Sequence, residues 1–174
     1  RMNAEAVLTR SDDTFIPLHE RTAIANEHKA DLFLSIHANS SPAPAAAGIE
    51  TFYLNFTGST AALEVAAREN AGSEKSVGEL KDIVQSIALN DKIAESGAFA
   101  DEVDKSLFSL AAKSNIAARN RGVKRAPFVV LIGASMPSVL AEIGFLSNPK
   151  DEANLKKPEY RQKVAEALFK SVTQ

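Results

Sequence analysis

The chain has no cysteine among its 174 residues. Disulfide staples, thiolate metal sites and a cysteine nucleophile are therefore excluded. The compartment stays open, because a cysteine-free chain is stable in oxidising or reducing surroundings. No stretch approaches the roughly 18 consecutive apolar residues that a membrane helix needs, and no signal-peptide pattern is visible. The formal net charge is only −2, without the clustered basic face that a nucleic-acid partner usually demands. No Gly-rich phosphate loop supports nucleotide binding. Ser35 and His37 could be written into a serine triad, but no Gly-x-Ser-x-Gly elbow backs it. Internal repeats and long linkers are also absent.

What is present is an ordinary globular composition, 45% hydrophobic and 24% charged, at a length that suits one domain over residues 1–174. Residues 4–9 read as a short strand, and Ser11-Asp12-Asp13 as a turn. A helix starts near Pro17, with Leu18, Ile24 and Ala25 on its apolar side. The run from Asp31 to Ala38 is the next strand. Strand, helix and strand from residue 4 to residue 38 make a βαβ unit, which implies a parallel sheet. Residues 39–48 form a Pro/Ser/Ala loop, expected to be mobile, and residues 49–54 a further strand. A helix is expected over 60–71, with Leu63, Ala66 and Ala67 on one face. The longest helical region is 76–118, where Val77, Leu80, Val84 and Ile87, and then Phe99, Val103, Leu107 and Leu110, recur at helical spacing. Gly97 marks a candidate break there, and the region is a candidate regulatory insert. Asn120-Arg121-Gly122 reads as a turn, residues 128–132 and 138–143 as strands, and 158–172 as a terminal amphipathic helix. The fold class is α/β.

Two strand ends carry the candidate chemistry. The apolar run Asp31 to Asn39 closes on His37, and Ser138 to Phe145 carries one carboxylate, Glu142. Ligands of open α/β sheets bind outside the carboxyl ends of the strands, so the two residues could face one site. A metal ligand and a proton-transferring carboxylate are the natural roles for such a pair. His37 is otherwise a core histidine bonded to a carbonyl. Glu142 sits among Val139, Leu140, Ala141 and Ile143, where an unpaired carboxylate would be costly. Its structural alternative is a salt bridge to Arg119 or Arg121. His19 and His28 lie nine residues apart, about 180° around a helix, so they cannot share a metal. Arg119, Arg121, Lys124 and Arg125 form a basic cluster that is either a solvated loop or a contact for substrate carboxylates.

Several segments together resemble a known family. They are Thr9-Arg10-Ser11-Asp12-Asp13, Pro17-Leu18-His19-Glu20-Arg21, Ser35-Ile36-His37-Ala38-Asn39-Ser40, Gly48-Ile49-Glu50-Thr51-Phe52, Asn120-Arg121-Gly122-Val123-Lys124, and Met136 through Pro149 with its Glu142-Ile143-Gly144-Phe145-Leu146-Ser147-Asn148 core. In this order they resemble the zinc-dependent N-acetylmuramoyl-L-alanine amidases of bacterial cell-wall metabolism, over essentially the whole chain. The resemblance implies a mostly parallel twisted sheet flanked by helices on both faces, with one zinc ion at the strand ends. It implies cleavage of the amide between N-acetylmuramic acid and L-alanine in peptidoglycan, in the periplasm or outside the cell, with any activator protein unknown. By the family pattern, His37 is a zinc ligand and Glu142 the catalytic base. Asn39, at the start of the loop 39–48, and Arg121, in the basic cluster, are candidate substrate contacts because these two segments are candidate walls of the glycopeptide groove.

The family's other two zinc ligands, a histidine in an Asp-Pro-Gly-His-Gly-Gly-like segment and a later glutamate, belong upstream of the strand matching residues 4–9. The expectation is thus of an amidase catalytic domain without its first strand and helix, inactive unless those ligands are supplied. The stretch 76–110 also resembles the place where some members carry a helix that covers the zinc, with Asp91 and Glu95 as candidates there. The alternative is a non-catalytic cell-wall binding module of the same fold. A general metallopeptidase is the third option. The enzymatic readings require the side chains at 37 and 142 to open onto a common cleft.

Overall fold

In the computed structural model, the described residues are 5–56, 58–79, 89–116 and 118–173, with the backbone alone at 89–91. Four strands, β1 (Phe33–Asn39), β2 (Gly48–Leu54), β3 (Arg119–Ala126) and β4 (Ser138–Phe145), form a sheet in the order β1-β4-β2-β3. The described helices include α1 (Leu18–Glu27), α2 (Thr60–Asn70), α3 (Leu89–Ser114), α4 (Pro149–Leu155) and α5 (Pro158–Val172), and a 3-10 turn lies at Val129–Leu131.

Backbone bonds give the strand directions. Phe33 N–H donates to Pro137 O at 3.0 Å and Leu146 N–H to Asn39 O at 2.8 Å, so β1 and β4 advance together. Gly48 abuts the backbone of Arg119, and Asn55 N–H donates to Ala126 O at 3.3 Å, so β2 and β3 are parallel too. The connection between β1 and β2, residues 40–47, is shorter than the dozen or so residues of a parallel crossover, so β2 returns against β1. The result is the expected α/β architecture with a mostly parallel sheet. The inner strands β4 and β2 are buried along nearly their whole length, as apolar runs covered on both faces must be. The outer strands are β1, with Ile36 exposed, and the basic β3.

Contacts group the chain into two compact units, and each strand contributes residues to both. The first comprises Arg1–Leu34, Tyr53–Ser96 and Arg125–Val139. Its core gathers Leu18 and Ala25 of α1, Ala62, Val65 and Ala66 of α2, and the run Phe128 to Ile132. Two asparagines pin its turns. Asn26 donates to Gly133 O at 2.8 Å and accepts from Ser135 N–H. Asn70 donates to Pro127 O and accepts from Val129 N–H, both at 2.9 Å. The second unit comprises Ser35–Phe52, Gly97–Lys124 and Leu140–Gln174. Phe99, Val103, Leu107 and Ala111 of α3 form one buried stripe at four-residue spacing, and Val164 and Leu168 of α5 are buried as well.

Several expectations change. Residues 5–9 are not a strand, so the βαβ unit does not form; a parallel strand exists only where a neighbour accepts its hydrogen bonds. Residues 128–132 make a 3-10 turn rather than a strand, closed by Leu131 N–H to Phe128 O at 3.0 Å. A five-residue apolar run cannot be told apart by periodicity. Arg119 to Ala126, read as a turn and a basic loop, is strand β3. It stands at the sheet edge, where charged residues are at home. In α2, Leu63 faces solvent while Ala62, Val65 and Ala66 are buried. Thr22, not Ile24, completes the buried face of α1. Gly97 makes no break, since α3 runs through it. Leu80, Val84 and Ile87 lie outside the described residues.

Candidate metal centre

β1 and β4 are neighbours in the sheet, and they deliver His37 and Glu142 to the same place. A ring nitrogen of His37 and a carboxylate oxygen of Glu142 lie within 4.8 Å of each other. Both residues belong to the second unit. The expectation of a common open cleft needs correction on one side: Glu142 is 0% exposed, while His37 is half-buried. No salt bridge from Arg119 or Arg121 to Glu142 is found among the described residues. Arg119 donates instead to the carbonyls of Ile116 and Ala118.

The other sequence candidates have firm places. Asn39 is 1% exposed, and its Nδ2 donates to Glu50 Oε2 at 3.1 Å. Arg121 lies 4.7 Å above the ring of Phe145 and donates through Nε to Ala47 O at 3.3 Å. The loop 40–47 is tied down at several points in this unit. Ser41 N–H donates to Ser147 Oγ at 3.0 Å, Asn148 Nδ2 to Pro44 O at 2.9 Å, and Gly48 N–H to Asp151 Oδ2 at 2.9 Å. Asp151 is buried and also accepts from Phe145 N–H and from Asn115 Nδ2. Asn148 caps α4 by accepting from the N–H groups of Lys150 and Asp151. The Phe145-to-Asp151 segment thus holds the loop that follows His37 against the end of β4.

Another buried carboxylate, Asp104 on α3, accepts from Asn120 Nδ2 at 2.6 Å and from Thr51 Oγ1 at 3.5 Å. Burial holds its pKa above the ordinary aspartate value; the two hydrogen bonds oppose the rise, and the nearby charges of Asp101 and Glu50 add to it. His19 and His28 sit in the first unit, on α1 and at its C-cap. Glu95 is exposed on α3, and the side chain of Asp91 lies outside the described residues. Sequence reasoning passed over Glu69, a half-buried carboxylate of metal-ligating type near the end of α2 in the first unit. In an amphipathic helix rich in charge it looks like any solvated glutamate.

A description of the N-acetylmuramoyl-L-alanine amidase family, Amidase_3, matches residues 1–174. The chain belongs to that family. It is 37% identical over 177 residues to the N-acetylmuramoyl-L-alanine amidase AmiA of Escherichia coli, covering 97% of this chain and 60% of AmiA. Among solved structures, the catalytic domain of the amidase CwlV from Bacillus (Paenibacillus) polymyxa is 31% identical, with a TM-score of 0.66 over 97% of this chain and 70% of that one. The amidase AmiC2 of Nostoc punctiforme is 28% identical, also with a TM-score of 0.66, over 97% and 71%. The chain thus spans about 60% of the length of its curated relative AmiA.

Proposed function

We propose that this amidase-family protein is a zinc-dependent N-acetylmuramoyl-L-alanine amidase acting on peptidoglycan in the cell envelope. The observation that carries the reading is the approach of His37 and Glu142 within 4.8 Å on adjacent strands. An imidazole nitrogen is a donor that zinc accepts in a cysteine-free site, so His37 fits the ion as part of its shell. His37 would hold the ion together with further protein ligands, and Glu142 would stand beside it as the base. A zinc ion bound there supplies the positive charge that acidifies a water and steadies the oxyanion.

Glu142 does the proton work. Its buried carboxylate takes the proton from the attacking water, as a general base. It then gives that proton to the leaving L-alanine nitrogen, so that the amide C–N bond breaks and a free amine departs. Burial suits this cycle, because bulk water cannot compete for the proton. His37 is the half-exposed partner, so water and the scissile amide enter on its side. Arg121, held against Phe145 and the Ala47 carbonyl, is a candidate wall of this approach; Asn39, 1% exposed and bonded to Glu50, is too buried to be the substrate contact expected of it.

The test is product analysis of the whole protein on purified muropeptides. The expected products are a stem peptide with a free L-alanine amine and an intact muramoyl sugar. Binding to peptidoglycan without cleavage would favour the binding module, and cleavage of plain peptides at equal rate would favour a general metallopeptidase.

A further inference from the structure

The amide of Asn39 is fully committed inside the protein. Its Nδ2 donates to Glu50 Oε2 at 3.1 Å, and its Oδ1 accepts from Ser40 N–H at 2.7 Å. The other oxygen of Glu50 is ion-paired with Lys124 Nζ. Glu50 is 3% exposed, so both oxygens of a buried carboxylate are satisfied, one by a cation and one by an amide. The main chain of Asn39 is engaged as well, its carbonyl accepting from Leu146 N–H at 2.8 Å. The last residue of β1 is therefore bound on one side to the residue that follows β4. Past β4 its side chain also reaches β2, and through Glu50 it reaches β3. All of these residues lie in the second unit.

A buried ion pair is weak evidence for stability, because desolvation offsets most of the attraction. Its value here is geometric. Asn39 stands two residues beyond His37, and side chains two apart on a strand share a face. Whatever fixes the Asn39 amide also fixes the twist of the strand end that carries the imidazole.

We propose that Lys124, Glu50 and Asn39 form a positioning relay that locks the end of β1 and sets the orientation of His37 toward Glu142. None of the three touches the reacting atoms. The relay rests on the zinc-and-base reading of His37 and Glu142 for its purpose, but its effect on the His37 ring needs no zinc.

The experiment is nitrogen-detected NMR of the histidine side chains in the whole protein, with His37 assigned by its loss in His37→Ala. Asn39→Ala and Glu50→Gln are expected to shift or broaden the His37 ring signals while those of His19 and His28 stay in place. The same two variants should weaken zinc binding about tenfold in competition with a chelator, as loss of supporting contacts around metal ligands does. Lys124→Arg, which keeps a cation on Glu50, should give His37 signals nearer the parent than Lys124→Met does. If Asn39→Ala fails to fold, the near-isosteric Glu50→Gln carries the test. Unchanged His37 signals in Glu50→Gln would overturn the relay, as would an equal disturbance of all three histidines. If the ring responds while the parent protein binds no zinc, the relay stands and the zinc reading falls.

Discussion

Asp104 is a carboxylate held where water is scarce. Its folded pKa is raised, chiefly by burial, so folding disfavours its charged form. The stability it contributes is fully present below the unfolded pKa and is lost as pH rises through the folded value. Asp104→Asn removes that dependence. Denaturant titrations across the weakly acidic range should therefore show the parent losing stability relative to Asp104→Asn as pH rises; a parent that holds or gains stability relative to the variant would contradict the assignment. Glu142 was legible in the sequence because a lone charge in an apolar run demands a purpose, and His37 because it closes a strand. The tasks of Asn39 and Asp151 were not legible. Asn39 bonds Glu50 across an intervening strand, and Asp151 bonds Gly48 over a sequence distance of 103 residues. Only the folded sheet brings such partners together.

Among the elements, those with strong local signals were readable. The boundaries of α5 match the periodicity and Pro158 at its first turn; α4 was not foreseen, although Asn148-Pro149 is a helix-start signal. β3 was hidden, because an edge strand rich in arginine and lysine has the composition of a loop. Residues 5–9 have a strand's composition without a strand's partners. Two element-scale predictions follow from packing. Gly48 starts β2 with a φ of +106° and abuts the Arg119 backbone where a Cβ would stand. Gly48→Ala should cost about 1–3 kcal/mol, seen in urea unfolding as a lower midpoint at an unchanged slope. Leu107 is 2% exposed in the buried stripe of α3, and Leu107→Ala should cost about 2–5 kcal/mol. If this substitution were neutral, the C-terminal half of α3 would not be part of the second unit's core.

For the molecule as a whole, family membership rests on a match along all 174 residues and on shared architecture with solved amidase domains. The chemistry rests on far less: one imidazole and one carboxylate on neighbouring strands. Composition set one bound, since any metal on a cysteine-free chain is held without thiolates. It could not show that Glu142 would be fully buried beside a half-buried His37, because depth within a sheet depends on what the other strands bring. The division of labour between the two residues is the central claim. It is tested most directly by measuring zinc content and muropeptide turnover together in His37→Ala and Glu142→Gln of the whole protein. His37→Ala should lose both zinc and turnover, while Glu142→Gln should keep its zinc and lose about 10²- to 10⁴-fold in rate. Turnover at the parental rate in Glu142→Gln, or full zinc retention in His37→Ala, would contradict the account.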